Sequence, residues 1–201
     1  MGQDVSGEHT GPDAVRLFTK ALLRDLQALE HMLEHGMIES GIRRIGFEQE
    51  MFLVNPGWRP APVSTEVLDR LEGPFTTELA LFNLEANVEP RVLEGRCFSD
   101  VEARLNELVD QVRVRAKEVD ADVALVGILP TLSKSDLTLD NITPKARYYA
   151  LNDALSKMRG GDPYKLRIEG TDELYIEHDS VMLEACNTST QVHLQVEAAE
   201  F

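Results

Sequence analysis

Ile45-Gly46-Phe47-Glu48-Gln49-Glu50-Met51-Phe52-Leu53-Val54 is the stretch on which the fold of this 201-residue chain turns. At the period-2 spacing of a β-strand, Ile45, Phe47, Met51 and Leu53 fall on one face, with Gln49 the exception. Gly46, Glu48, Glu50 and Phe52 fall on the other. Two carboxylates two residues apart on one strand face repel each other, and desolvating them unpaired costs several kcal/mol. A divalent cation compensates for this well, because hard ions such as Mg²⁺ take oxygen ligands and bridge carboxylates to phosphates. A half-buried strand with both acids facing water satisfies the same pattern without an ion.

Two more stretches carry polar faces of the same kind. Leu81 to Glu89, closed by Pro90, alternates Phe82, Leu84, Ala86 and Val88 with Asn83, Glu85, Asn87 and Glu89. Thr190 to Val196 sets Gln191, His193 and Gln195 opposite Val192, Leu194 and Val196. A solvated sheet face normally mixes in Lys, Arg, Thr and Ser, yet His193 is the sole basic residue on these three faces. If the strands are neighbours, carboxylates and an imidazole converge on one surface. Such oxygen-rich ligation suits Mg²⁺ or Mn²⁺ better than the closed Cys/His sites of structural zinc. Taken alone, His193 reads more readily as a hydrogen-bonded strand histidine, and the three faces together shift the balance toward a metal.

Outward from these strands the chain alternates helices and turns. Residues 1 to about 12 are polar and read as a frayed tail. From Asp13 to His35, the residues Val15, Phe18, Leu22, Leu26, Leu29 and Leu33 recur at spacings of three and four. They predict an amphipathic helix that Gly36 stops. A short helix is predicted from Ser64 to Leu71. Ser99-Asp100-Val101-Glu102 reads as a capping box opening a helix to about Val119, whose stripe is Val101, Leu105, Leu108, Val112 and Ala116. A strand follows from Val123 to Leu129, a loop from Thr131 to Pro144, and a helix from Arg147 to Met158. Tyr164–Glu169 and Leu174–His178 form a hairpin around Gly170-Thr171-Asp172. The connections are too short for many helical crossovers. The expected fold class is therefore α+β, a single domain over residues 13–201. A mainly antiparallel sheet has the helices Asp13–His35 and Ser99–Val119 on one face and the opposite face polar.

With 43% hydrophobic and 27% charged residues, the chain suits one globular core. Its formal net charge of −15 argues against nucleic acid or an anionic membrane surface as a partner. Cys97 and Cys186 stand in no metal-ligand spacing and make no disulfide scaffold, which favours a reducing cytoplasm. No apolar run approaches the length of a spanning helix. Met1 to Ser6 fits the loose myristoylation pattern, a match that short sequences reach by chance. No His-Glu-x-x-His, nucleophile elbow or Walker loop marks a hydrolase.

Gly46-Phe47-Glu48-Gln49-Glu50, the Phe82–Pro90 strand with Glu85, Arg147-Tyr148 and Gln191-Val192-His193-Leu194 resemble, in that order, the glutamate–cysteine ligase and carboxylate–amine ligase family. That family lies within the glutamine synthetase-like superfamily, and the resemblance runs from about Arg43 onward. It implies a glutamine synthetase-like catalytic half-domain and an ATP- and Mg²⁺- (or Mn²⁺-) dependent condensation. A carboxylate such as glutamate is phosphorylated and then attacked by an amine such as cysteine. Under the resemblance Glu48 and Glu85 take the catalytic places, and Glu48, Glu50, Glu85 and His193 the metal places. Glu50, His193 and Gln191 would contact the nucleotide. Gly127–Thr131 resembles the substrate-side loop, ending at Thr131, and Arg147 with Tyr148 a further substrate contact. Family members usually carry His-Val-His where Gln191-Val192-His193 stands, so one contact is altered. Relatives also continue past the point where Phe201 falls, so a fragment or a natural truncation, completed by a missing half or as a homo-oligomer, is expected, with little or no turnover by this chain alone. The alternative is a non-catalytic metal- or ligand-binding module derived from the same fold.

Overall fold

The computed structural model describes residues 12–200. The tail reading lies outside the described residues up to Gly11, as does the myristoylation pattern. Pro12 is already the first residue of a helix, α1 (Pro12–Glu34). The remaining elements are β1 (Arg44–Val54), α2 (Ser64–Leu68), β2 (Phe75–Thr77), β3 (Asn83–Val92), α3 (Cys97–Lys117), β4 (Asp122–Ala124), α4 (Ala146–Met158), β5 (Tyr164–Glu169), β6 (Glu173–His178) and β7 (Thr190–Leu194). All the strand pairings are antiparallel. The fold class is thus α+β with a mainly antiparallel sheet. No described helix is long and apolar enough to cross a membrane.

The sheet runs β2-β3-β1-β4, with β7 also on β1. β3 occupies one edge of β1 along most of its length. The other edge is shared by β7, against Ile45–Gln49, and β4, against Phe52–Val54. The strand quoted first is therefore the centre of the sheet, and its alternation sets what each face carries. Met51 and Leu53 join Leu84, Ala86 and Val88 of β3 in a core closed by Val101, Leu108, Val109, Val112 and Ala116 of α3. The stripe read on α3 is thus the one that packs.

The opposite face is polar over only half its length. Toward its C-terminal end Phe52 and Val54 enter a second core with Leu79, Phe82, Leu129, Ile142 and Met182. Phe82 consequently lies across the sheet from Leu84 rather than beside it. The chain is still turning at residues 81–82, before β3 begins, so strand alternation does not extend to Phe82. Pro90 does not close β3. Ile45 faces Arg91 and Phe47 faces Val88, so Glu89 and Pro90 together oppose Gly46 in a bulge, where a residue without an N–H is tolerated. A Cβ on Gly46 would lie 3.7 Å from Pro90 Cγ, an ordinary contact.

Three other expectations change. α3 starts at Cys97 with Arg96 as its N-cap and no side-chain cap, so Ser99 is inside the first turn and the capping box does not form. Gly95, at φ +55°, already delivers the chain into the helix two residues earlier. β4 is three residues long rather than seven. Above all, α1 does not pack on the sheet. It belongs to neither core, and Val15, Phe18, Leu26 and Leu33 are half or more exposed. The hairpin β5–β6 forms as read but as a separate two-stranded sheet.

Candidate functional site

Register decides which polar groups meet. Glu50 on β1 is the direct cross-strand partner of Glu85 on β3, and Glu48 that of Asn87. On the other edge Glu48 faces Gln191, and Gly46 faces His193. Because alternation keeps every second residue on one side, Glu48, Glu50, Glu85, Asn87, Gln191 and His193 share the face away from α3. The structure thus brings together all three acids, the histidine and the glutamine picked out from sequence.

A further acid joins them. Glu78 follows β2, where Thr76 pairs with Glu85, so Glu78 continues on the same face. Glu50, Glu78 and Glu85 each offer a carboxylate oxygen, and these lie within 4.8 Å of one another, close enough to hold a metal ion. Sequence reading missed Glu78 because a three-residue strand is too short to show a period. The alternation Thr76, Glu78 beside the acidic face of β3 is the faint signal it left. Two part-buried contacts fix its backbone: Thr143 Oγ1 donates to the Glu78 carbonyl at 2.6 Å, and the Tyr148 hydroxyl to the Thr77 carbonyl at 3.1 Å.

The acids differ in what surrounds them. Glu50 is well supplied with donors: Gln191 Nε2 at 3.0 Å on Oε1, and Ser189 N at 2.8 Å and Oγ at 3.3 Å on Oε2. Glu85 accepts from Asn87 Nδ2 at 2.6 Å, yet burial, with the charges of Glu48 and Glu50, still raises its pKa. Burial, reinforced by the charges of Glu85 and Glu50, pushes Glu78 up to about 8. The cluster therefore retains a proton near neutral pH, shared between Glu78 and Glu85. Several carboxylates forced together and holding a proton are a donor set that a divalent cation fits, since the cation replaces the proton and removes the repulsion. Glu48 stands beside this triad, its Oε2 3.4 Å from His193 Nε2.

The substrate-side expectations divide. Arg147 Nη2 donates to the Tyr148 hydroxyl at 2.8 Å, and its guanidinium lies 4.7 Å from the Tyr148 ring centre. Through Tyr148 and Thr77 this pair is tied to the segment that carries Glu78. Thr131 is engaged elsewhere, its hydroxyl donating to the Trp58 carbonyl in the turn after β1.

Fold and site together define an α+β protein with a carboxylate centre on the open half of an antiparallel sheet. Residues 44–200 match the glutamate–cysteine ligase family 2, and the chain belongs to that family of ligases. The match begins with β1 and spans every strand of the sheet, leaving α1 outside it. No curated protein and no solved structure matches the chain.

Proposed function

We propose that the chain is an ATP-dependent carboxylate–amine ligase that joins the γ-carboxylate of glutamate to the amine of cysteine through an acyl phosphate. The observation that carries this is the Glu50–Glu78–Glu85 cluster, three carboxylate oxygens within 4.8 Å on one sheet face. Mg²⁺ or Mn²⁺ held there, with Glu48 and His193 alongside, would neutralise charge developing between the β- and γ-phosphates of ATP. The substrate carboxylate attacks the γ-phosphorus and releases ADP. The amine then attacks the acyl carbon and releases phosphate.

In this scheme Glu85 and Glu78 supply negative ligands and give up their shared proton on loading. Gln191 orients Glu50 and, with His193, lies at the nucleotide. Arg147 and Tyr148 contact substrate from the β2 side, and Gly127–Thr131 serves as the substrate-side loop, anchored through the Thr131 hydroxyl on the Trp58 carbonyl. The unbridged Cys97 and Cys186 suit a reducing cytoplasm. A second reading, a metal-binding module without turnover, is favoured by the three donors already on Glu50, which leave that carboxylate less able to bind an ion.

One pair of measurements separates the readings. ADP release with glutamate and cysteine is followed alongside Mn²⁺ binding, for the wild type, Glu78→Gln and Glu85→Gln. Binding and turnover that both fall in the variants support the ligase. Binding that falls, with no turnover by the wild type even when the chain is extended downstream, selects the module. Binding indifferent to both substitutions removes the metal site from either reading.

A further inference from the structure

We infer that two copies of this chain associate through an antiparallel pairing of their α1 helices. α1 is 23 residues long, roughly 35 Å at 1.5 Å per residue, and it lies outside both cores and outside the family-matched stretch 44–200. Val15, Phe18, Leu22, Leu26, Leu29 and Leu33 line one face, and Leu23 flanks it; all seven are 46–68% exposed. Most of a helix's stability in a protein comes from packing its amphipathic face, and the apolar face of α1 is uncovered. At roughly 100 Å² of uncovered surface per side chain, seven of them present about 700 Å² per copy, against about 800 Å² per partner in a standard interface.

The occupant is identified by charge. The N-terminal half of α1 carries Arg16, Lys20 and Arg24 against a single acid, Asp13. The C-terminal half carries Asp25, Glu30 and Glu34 with no Lys or Arg. A parallel pair would set like halves together. An antiparallel pair sets the basic half of each copy on the acidic half of the other, so α1 is complementary to itself in one orientation only. In the register that pairs Leu22 with Leu26 and Val15 with Leu33 across the dyad, Arg16 faces Met32 and so stands between Glu30 and Glu34 of the other copy, and Phe18 faces Glu30. Arg24 then meets its own symmetry mate, with Asp25 of each helix next to it in sequence. Gly36, at φ +61°, ends the helix, and residues 37–43 separate it from β1.

Sedimentation equilibrium of the whole chain between 1 and 100 µM tests this. A dimer is expected for the wild type, and a monomer with an unchanged unfolding midpoint for Leu26→Glu/Leu29→Glu. Arg16→Glu/Lys20→Glu should weaken association about tenfold, and adding Glu30→Lys/Glu34→Lys should restore it. A wild-type monomer at every concentration overturns the inference, whether α1 then proves protected from hydrogen exchange by its own sheet or bound to anionic phosphatidylglycerol vesicles. A dimer that survives Leu26→Glu/Leu29→Glu overturns it equally.

Discussion

Glu78 is the residue on which the chemistry of the cluster depends most. Its carboxyl titrates near 4.5 when unperturbed and is pushed up to about 8 in the fold by burial and by Glu85 and Glu50. A raised folded-state pKa means that the folded chain binds the proton more tightly than the unfolded one. The resulting stabilisation is complete below about pH 4.5 and is lost as pH climbs toward 8. Without divalent cation, urea unfolding at pH 5, 7 and 9 should therefore show stability falling across this window, by on the order of a few kcal/mol. Glu78→Gln stays neutral and should flatten that slope. Cation binding runs the other way: calorimetry should show affinity for Mn²⁺ rising from pH 6 to 8 as the shared proton leaves, a rise that Glu78→Gln removes together with most of the affinity.

At the scale of elements, the site is held from behind by α3 and from the side by the segment around Ile142. Leu108 is fully buried in the core between α3 and the sheet, and Leu108→Ala should cost about 2–5 kcal/mol in denaturant unfolding. Thr143 is 1% exposed, and its hydroxyl is the donor to the Glu78 carbonyl. Thr143→Val keeps the shape and leaves that carbonyl without this donor, at a cost of about 1–3 kcal/mol. If the contact also positions Glu78, the variant should lose Mn²⁺ affinity by more than a loss of global stability explains, measured well below its unfolding midpoint. The periodic stripe of α3 was legible because it packs on one side only. The capping box was not, because Gly95 and Arg96 start the helix before Ser99 is reached.

Across the whole molecule, stability is uneven. β1 is paired on both edges, and Met51, Phe52 and Leu53 are fully buried. The hairpin β5–β6 pairs only with itself and exposes Ile168 and Leu174, and a two-stranded ribbon of that kind is marginal alone. Native-state hydrogen exchange should open β5–β6 well before β1 and β3. A cation bound only by the folded cluster should raise overall stability by mass action, about 2.7 kcal/mol at a hundred times its Kd. A thermal shift on adding Mn²⁺ that disappears in Glu78→Gln/Glu85→Gln checks this. The same shift should leave the exchange rate of the hairpin nearly unchanged.

The amino-acid sequence by itself determined which residues could share a face. Strand period two put Glu48 with Glu50 and Gln191 with His193, helix spacing marked α3, and the ordered motifs pointed to the ligase family to which residues 44–200 belong. These are local properties, written in neighbours a few residues apart. Only the tertiary structure decided the rest, because it depends on groups distant in sequence. The β1–β3 register set Glu50 opposite Glu85. The short β2 brought Glu78 into contact with them, and the 79–82 turn sent Phe82 into a second core. The amphipathic stripe of α1 was plain in the sequence, but amphipathicity specifies only that a face needs covering. That the sheet of the same chain leaves it bare is a fact of packing.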